Sequence, residues 1–294
     1  MSSCGRGDQI ISLPSLNYNP YVPEIFKTLR RAAIVESPNF FHVERSLINN
    51  SLPDRALTVP EFKAFILQCR RVGGWKKVSW GAENDLLRKA GIKTIARRRA
   101  ALEGLKRKHF ISELPRKNNK RMFLVNCVPL YNRATGEFLP SPSKRDIASL
   151  KAENTGGYVQ IPNQLVDDGM LRHLSGRQLK VLLKIYEHNR LSLYGGCDPN
   201  VIRYLRHNRH LAIRGHVIEE LYLTESEFRK SLQLLLNQGL LKLESRHALR
   251  QDHGRILVTP HEDCGTDQVC IIRPTYQILH HINAWRERGF SEND

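Results

Sequence analysis

The stretch LTESEFRKSLQLLLNQGLL, residues 223–241, decides the fold of the second half of the chain. Thr224, followed three residues later by Glu227, forms a capping box, which is a pattern that begins helices. Apolar residues then recur at helical spacing, and Gly239 supplies the left-handed conformation that commonly ends a helix. The apolar residues after Gly239 predict a strand. The stretch therefore predicts a capped helix that leads through a tight turn into a strand.

A similar order of residues occurs in the first half of the chain. Residues 101–111, ALEGLKRKHFI, align with residues 231–241, SLQLLLNQGLL, so that Leu102 and Leu105 coincide with leucines. The match predicts an internal duplication, although any amphipathic helix followed by a strand gives a pattern of this kind. Residues 198–214 have no counterpart in the first half.

The residues before the first of these helices also carry helix signals. Thr58, with a glutamate three residues later, predicts a helix that runs to about Arg71. A shorter helix is predicted over 81–89, and Gly91 supplies a tight turn before Thr94 caps the next helix. After that helix, apolar stretches on either side of a basic loop predict a β-hairpin over about 110–125.

The second half repeats this plan. Ser175, with a glutamine three residues later, predicts a helix that ends near Asn189, and residues 217–221 predict a short helix before the Thr224 cap. Residues 240–244 and 256–258 are apolar enough to pair as strands, with a long polar wing between them.

Helix, short helix, turn, helix and hairpin is the order of a winged-helix domain. We therefore predict a mainly α fold with small β-hairpin wings (α+β), built as two winged helix-turn-helix domains in tandem. Proline, glycine and serine interrupt any regular period at two places and predict a flexible arm and a linker. The predicted organisation is an N-terminal arm over 1–22, a basic first domain over 23–128, a linker over 129–157, and a second domain with a C-terminal extension over 158–294.

Positive charge is concentrated in one part of the chain. The sequence has 46 Lys and Arg against 29 Asp and Glu, a net charge of +17. Residues 86–121 alone hold 13 basic residues and two acidic ones. Such an excess is typical of proteins with polyanionic partners, and the alternative is a basic protein kept soluble by its charge. Because a solvated surface would spread the charge more evenly, its distribution favours nucleic acid.

In a winged helix the third helix enters the major groove, and its N-terminal residues reach base edges. We expect the third helix of the first domain to be built around Ile95, Leu102 and Leu105, with its basic residues pointing outward. Arg97 is the best single candidate for a base contact, because arginine can hydrogen-bond guanine through two nitrogens. The candidate DNA-contacting residues at this end of the helix are Lys93, Thr94, Arg97, Arg98 and Arg99.

Further basic residues at the end of this helix and in the wing are candidates for phosphate contacts, which position a protein without reading sequence. They are Lys106, Arg107, Lys108, Arg116, Lys117, Lys120 and Arg121. A basic helix C-terminus favoured by the helix dipole is the structural alternative for the first three. That alternative does not explain the arginines near the other end of the helix.

The second domain has weaker signals for DNA binding. Glu225 and Glu227 occupy the first turn of its third helix, where they would face phosphate or simply stabilise the helix dipole. The candidate DNA-contacting residues of this domain are Arg229, Lys230, Arg246 and Arg250. The nearly neutral second half leaves protein pairing or partner recruitment equally open.

The sequence lacks the patterns of common catalytic and metal sites. No glycine-rich loop is followed by Lys and Ser or Thr, so a phosphate-binding loop of the ATPase type is not predicted. The spacing of His261, Cys264 and Cys270 matches no common zinc module and predicts a polar loop with two incidental thiols. We therefore expect a non-enzymatic protein without catalytic residues, metal or cofactor.

The six cysteines and the N-terminal residues indicate the cellular compartment of the protein. The cysteines are scattered singly, which is typical of reduced thiols rather than a disulfide framework. The N-terminal residues lack the pattern of a signal peptide, and no apolar run has the length of a membrane helix. We expect a cytoplasmic protein with no membrane partner.

Three features of the sequence resemble known families. Residues 223–241 resemble the recognition-helix-to-wing segment of bacterial winged-helix regulators, and residues 158–189 are similar to the start of phage replisome-organiser domains. Two such domains in tandem, without a ligand-binding domain, resemble the replication initiators of bacterial plasmids and phages.

This resemblance implies binding to origin repeats in double-stranded DNA and recruitment of host replication proteins, such as a helicase or helicase loader. Self-association is a further possible partnership. A transcriptional repressor with the same fold and a protein-interaction module with nonspecific DNA affinity are the alternatives, because one fold serves many functions.

Overall fold

The computed structural model of the chain describes residues 35–37, 40–45, 48, 57–72, 78–80, 87–117, 120–125, 131–132, 137–138, 158–189, 195–205, 210–250, 255–258 and 267–278. These residues form the helices α1 (Val59–Arg71), α2 (Ile95–Arg107), α3 (Asn163–Asp167), α4 (Gly176–Glu187), α5 (Gly215–Leu221) and α6 (Glu225–Asn237). They also form the strands β1 (Val35–Ser37), β2 (Phe40–Glu44), β3 (Val78–Trp80), β4 (Ile111–Lys117), β5 (Lys120–Val125), β6 (Tyr131–Asn132), β7 (Glu137–Phe138), β8 (Tyr158–Pro162), β9 (Ile202–Leu205), β10 (His210–Ile213), β11 (Leu241–Arg250), β12 (Ile256–Val258), β13 (Asp267–Pro274) and β14 (Tyr276–Ile278).

Helices and small, mainly antiparallel sheets make the fold mixed, which is compatible with the predicted α+β class. The prediction of a mainly α fold with small hairpin wings is wrong for the described residues, because fourteen strands, five of them in one sheet, accompany the six α-helices. Residues 87–89 are also helical, and Met170–His173 form a 3-10 turn. Within the described residues, no helix has the length and apolar character required to cross a membrane.

The chain divides into two compact units. The first unit is Asn39–Leu183, and the second unit combines Met1–Pro38 with Lys184–Asp294. They differ from the expected domains in two ways. Residues 35–37, which we assigned to the first domain, cluster with the second unit, where β1 pairs with β14. Residues 158–183, which we assigned to the second domain, cluster with the first unit. The physical reason is β8, which pairs antiparallel with β2 along its whole length. The expected arm and most of the expected linker lie outside the described residues.

Three predicted capping boxes are confirmed at the starts of α1, α4 and α6. The Thr58 amide donates to the Glu61 carboxylate at 2.7 Å, and the Glu61 amide donates to the Thr58 hydroxyl at 3.4 Å. The same reciprocal bonds join Ser175 to Gln178 and occur after Thr224. Each box satisfies two backbone N–H groups that a helix start otherwise leaves unpaired.

The first unit packs α2 and a three-stranded sheet against α1. The strand order is β3-β5-β4, and β4 with β5 is the predicted hairpin, extended to the pair Lys117 and Lys120. Phe62 and Phe65 of α1 are fully buried, and the Phe65 ring meets the edge of Phe110 with centroids 5.2 Å apart. Helix α1 is therefore the centre of this core.

The second unit contains a five-stranded antiparallel sheet with the order β10-β9-β13-β11-β12. The prediction that residues 240–244 pair with 256–258 is wrong, because Leu241–Glu244 pair with β13 and only the end of β11 pairs with β12. The prediction of a polar loop around Cys270 is also wrong at that residue, which is buried in β13. Residues 202–205 and 210–213, which lie in the stretch without a counterpart, form the paired strands β9 and β10.

Helices α2 and α6 have the same local geometry at the aligned positions. Each has 13 residues, and each begins after a threonine, Thr94 or Thr224, whose hydroxyl accepts a hydrogen bond from the third helical residue. Each ends at a left-handed residue, His109 with φ 59° or Gly239 with φ 76°, before the chain enters a strand. The aligned sequences therefore form the same capped helix and turn in both units.

A buried lysine of the second unit joins the last turn of α4, which enters this unit at Lys184, to α5. Lys184 of α4 is fully buried, and its ammonium group lies 2.7 Å from the Glu187 carboxylate, whose side chain is also buried. The same ammonium group pairs with Glu220 of α5. A buried charge is tolerated only when it is paired and hydrogen-bonded, so this cluster holds α5 to α4 at a defined position.

Lys184→Ala leaves the buried Glu187 carboxylate without its main counter-charge. We expect the substitution to lower the free energy of unfolding by roughly 3 kcal/mol, measured by urea denaturation followed by circular dichroism. The matched control is Lys230→Ala, which removes the same charge from an exposed position of α6 and should change stability by less than about 0.5 kcal/mol. Equal losses in the two variants would contradict a structural role for Lys184.

Candidate nucleic-acid interface

Helix α2 of the first unit is buried along only one half of its length. In the second half, Ala101, Leu102 and Leu105 are buried against the rest of the unit. In the first half, residues 93–97 together with 99 and 100 are exposed. The first two turns of α2 therefore project from the surface, and the buried end holds them in place.

Ile95 corrects the expected core of this helix. We predicted that Ile95 would pack with Leu102 and Leu105, because residues seven apart fall on the same side of a helix. Leu102 and Leu105 are buried, but Ile95 is 54% exposed. The spacing of apolar residues shows which side they share, but it does not show how far along the helix the packed surface extends.

The structure separates the three consecutive arginines of α2. The Arg98 guanidinium donates hydrogen bonds to the carbonyl oxygens of Lys93 at 3.1 Å and Thr94 at 3.4 Å, so it holds the start of the helix. Arg97 and Arg99 are exposed, and no acidic side chain among the described residues pairs with them. Two of the three guanidinium groups are therefore open to an external anion or acceptor.

Four exposed residues form what we call the outer face of α2: Ile95, Ala96, Arg99 and Ala100. At 100° per residue they span about 140° of the helix surface; Ala96, Arg99 and Ala100 lie on the side away from the buried Leu105, and Ile95 lies at the edge of this face nearest Leu102. Ala96 and Ala100 have short side chains, and Ile95 and Arg99 lie one turn apart on this face. Arg99 lies on the outer face, whereas Arg97, the candidate chosen from the sequence, lies beside it.

Two predicted phosphate-binding residues are engaged by acidic side chains. Arg121 donates to the Glu113 carboxylate at 2.9 Å, and the Lys106 ammonium group lies 3.0 Å from the same carboxylate and 2.6 Å from Glu103. The hydrogen bonds from Arg121 and then Lys106 lower the pKa of Glu113 to about 2. The hydrogen bond to Glu103 raises the pKa of Lys106. The Arg121 guanidinium also lies over the Phe123 ring, 5.2 Å from its centroid.

Lys108, a third predicted phosphate-binding residue, is tied to the start of α1. Its ammonium group lies 2.7 Å from the Glu61 carboxylate, which also closes the Thr58 capping box. Gly104 makes this possible, because a Cβ at that position would overlap the Glu61 carboxylate. This link was not predicted from the sequence, although a glycine inside a predicted helix indicates close approach of a neighbouring group.

The other basic candidates of the first unit lie around the wing and at the helix end. Arg107 is exposed on the last turn of α2. Arg116 and Lys117 lie on β4, and Lys120 lies on β5 directly opposite Lys117 in the strand register. The backbone therefore brings these three positions together at the end of the hairpin.

Among the described side chains, a larger share of the candidate DNA-contacting residues pairs with acidic side chains in the second unit than in the first. Arg229 is buried and pairs with Glu225 one turn earlier in α6, and Arg246 pairs with Glu244 at 2.6 Å. Lys230 is exposed, and Arg250 is the last residue of β11. The acidic first turn of α6 thus has a local explanation, since Glu225 pairs with Arg229.

Comparisons of the chain with protein-family models, with curated proteins and with solved structures find no match. Among the residues that the structure describes, no group of three or more His, Cys, Asp or Glu side chains is placed to hold a metal ion. Cys69, Cys197 and Cys270 are buried thiols that are not in disulfides. The feature that distinguishes the described surface is the projecting end of α2, with its open arginines.

The pairs of Glu113 predict how stability depends on pH. The pKa of Glu113 is near 2 in the folded chain and 4.5 ordinarily. The stabilisation of the folded chain by the ion pairs of Glu113 is therefore complete above about pH 4.5. It is lost as the pH falls towards 2. We expect Glu113→Gln to lower the free energy of unfolding by at most about 1 kcal/mol at pH 7, and to have little effect near pH 2, by urea denaturation.

The control for this prediction is Glu219→Gln, at an exposed position of α5, which should change stability little at either pH. The same loss for Glu113→Gln at pH 7 and near pH 2 would show that the ion pairs do not carry the effect.

Proposed function

We propose that this chain is a non-enzymatic, sequence-specific double-stranded DNA-binding protein. The observation that carries the proposal is the projecting first half of α2, on which Arg97 and Arg99 have no acidic partner among the described residues. A projecting helix fits the major groove of duplex DNA, which is about 12 Å wide. The net charge of +17, concentrated around this helix, supports a polyanionic partner.

We propose further that the two units are built on winged-helix domains. In the first unit, the order α1, β3, the helical residues 87–89, α2 and the hairpin of β4 and β5 supports this architecture. In the second unit the support comes from α5 and α6 followed by β11. The matching caps and turns of α2 and α6 support equivalent positions for these two helices in their domains.

In this proposal α2 contacts base edges with its outer face. Ala96 and Ala100 allow the helix to approach the bases, and Arg99 reaches guanine through two hydrogen bonds, worth about 1–3 kcal/mol of discrimination. Arg97, beside the outer face, contacts a base or an adjacent phosphate. Arg98 positions the helix start through its own backbone contacts and does not need to touch DNA.

Phosphate contacts come from the exposed cations at the ends of α2 and from the basic positions of the wing. Lys93 and Arg107 lie at its two ends, and the wing positions of Arg116, Lys117 and Lys120 lie at the end of the hairpin. Each phosphate contact adds about 0.9 to the slope of log affinity against log salt. Lys106, Lys108 and Arg121 contribute less, because Glu113 and Glu61 already neutralise them.

The second unit is proposed to recruit a partner or to pair with itself. Arg229 and Arg246 are neutralised by glutamates within the unit, which lowers its attraction for phosphate. With one DNA-binding unit and one recruiting unit, we propose that the chain initiates replication of a plasmid, phage or other mobile element. It would bind origin repeats and recruit host replication proteins.

The binding proposal predicts the result of selecting bound sequences from random duplex DNA at physiological salt. We expect the intact chain to enrich a motif that contains guanine, and Arg99→Ala to lose the preference at one base position, at a cost of about 1–3 kcal/mol. Arg99→Lys should show the same loss of preference, because it keeps the charge but cannot form the paired hydrogen bonds.

The matched control is Arg107→Ala, which removes an exposed arginine from the other end of the same helix. It should weaken binding to all sequences alike and reduce the salt slope by about 0.9. No enriched motif with the intact chain would refute specific recognition and favour a protein-interaction module with nonspecific DNA affinity.

The role in replication has a separate test. A plasmid whose origin carries copies of the selected motif should be maintained in cells only when the chain is supplied, and should be lost with the Arg97→Ala, Arg99→Ala double variant. Altered activity of a neighbouring promoter, with the plasmid maintained in the absence of the chain, would instead show a transcriptional regulator.

A further inference from the structure

We infer that Ile95 is a specificity-determining residue that contacts the 5-methyl group of a thymine in the major groove, close to the guanine bound by Arg99. This inference rests on the proposed DNA-binding function and adds a base and a contact to it. The major groove offers one apolar group, the thymine methyl, and apolar side chains recognise it by contact.

Ile95 has the exposure that such a contact requires. It is 54% exposed at the first position of α2, although it is a large aliphatic side chain. Exposure of this apolar side chain to water is unfavourable, and contact with a thymine methyl group would bury part of it, which is favourable. The neighbouring Ala96 and Ala100 are also exposed, and their short side chains do not keep Ile95 or Arg99 away from a base edge.

The spacing of Ile95 and Arg99 sets the distance between the two bases. Four residues of helix rise about 6 Å, and successive base pairs are about 3.4 Å apart. The thymine is therefore expected within about two base pairs of the guanine. Arg98 fixes the helix start through the carbonyl oxygens of Lys93 and Thr94, so Ile95 is held in position before DNA binds.

The second unit shows what the same positions do when the first residue is acidic. Glu225 and Arg229 occupy the positions of α6 that Ile95 and Arg99 occupy in α2, and they pair with each other. In α6 the guanidinium group of Arg229 is paired with the Glu225 carboxylate one turn earlier. In α2 the isoleucine leaves Arg99 open and adds an apolar contact, which assigns base recognition to the first unit.

The experiment measures equilibrium binding of the full chain to the selected duplex, with each thymine replaced in turn by uracil. Uracil lacks the methyl group and keeps the hydrogen-bonding groups of thymine. We expect one replacement within about two base pairs of the guanine to weaken binding roughly three- to fivefold. With Ile95→Ala, the same replacement should change affinity by less than about 1.5-fold, as a double-mutant cycle requires for a direct contact.

Ile95→Val is the matched variant. It keeps a branched side chain with two methyl groups and should retain most of the discrimination between thymine and uracil. Because Ile95 is exposed, both variants should keep the thermal unfolding midpoint of the intact chain, which circular dichroism measures. This control separates loss of a contact from loss of the fold.

Two outcomes distinguish the failure of the inference from that of the proposed function. Specific binding by the intact chain that no uracil replacement weakens, or a weakening that persists unchanged in Ile95→Ala, overturns the role of Ile95 and leaves DNA binding standing. Absence of any sequence preference in the intact chain overturns both.

Discussion

The structure of the candidate interface depends on the packing of α2 at one end only. Leu102 and Leu105 are buried against the first unit, and the left-handed turn at His109 leads the chain directly into β4. Behind the helix, Gly104 leaves room for the Glu61 carboxylate, which pairs with Lys108. Because the second half is held in this way, the first two turns project into solvent while their orientation stays fixed.

The two units use one local framework for different chemistry. Helices α2 and α6 share their length, their threonine caps and their left-handed ends, but their first turns differ. In α6 the acidic first turn pairs with Arg229, whereas in α2 the corresponding arginine has no acidic partner among the described residues. A substitution at one position of a capped helix therefore decides whether an arginine stabilises its own helix or is available to a ligand. On this difference we base the proposal that the first unit recognises DNA and the second recruits a partner.

The sequence predicted the features that depend on neighbouring residues. The capping boxes at Thr58, Ser175 and Thr224 form within three residues, so the pattern of side chains determines them. Features that depend on distant residues were not predictable. The partner of Leu241–Glu244 proved to be β13, because strand pairing depends on packing across the unit. Within the site, the basic residues were correctly expected on the first turns of α2. The ion pair between Arg121 and Glu113 was not predictable from the number of charged residues, because the hairpin brings these two residues together.

We propose that the first two turns of α2 lie in the major groove, and the position of Ala96 in a complex with DNA is a direct test of this placement. A cleavage reagent based on iron–EDTA can be attached to Ala96→Cys and, as a control, to Glu219→Cys on α5, with the labelled intact chain as the background of the native cysteines. We expect the Ala96→Cys conjugate to cut both strands within a few base pairs of the bound motif, with the strand offset of a major-groove source. Cutting no stronger than that of the control conjugate, or with a minor-groove offset, would contradict it.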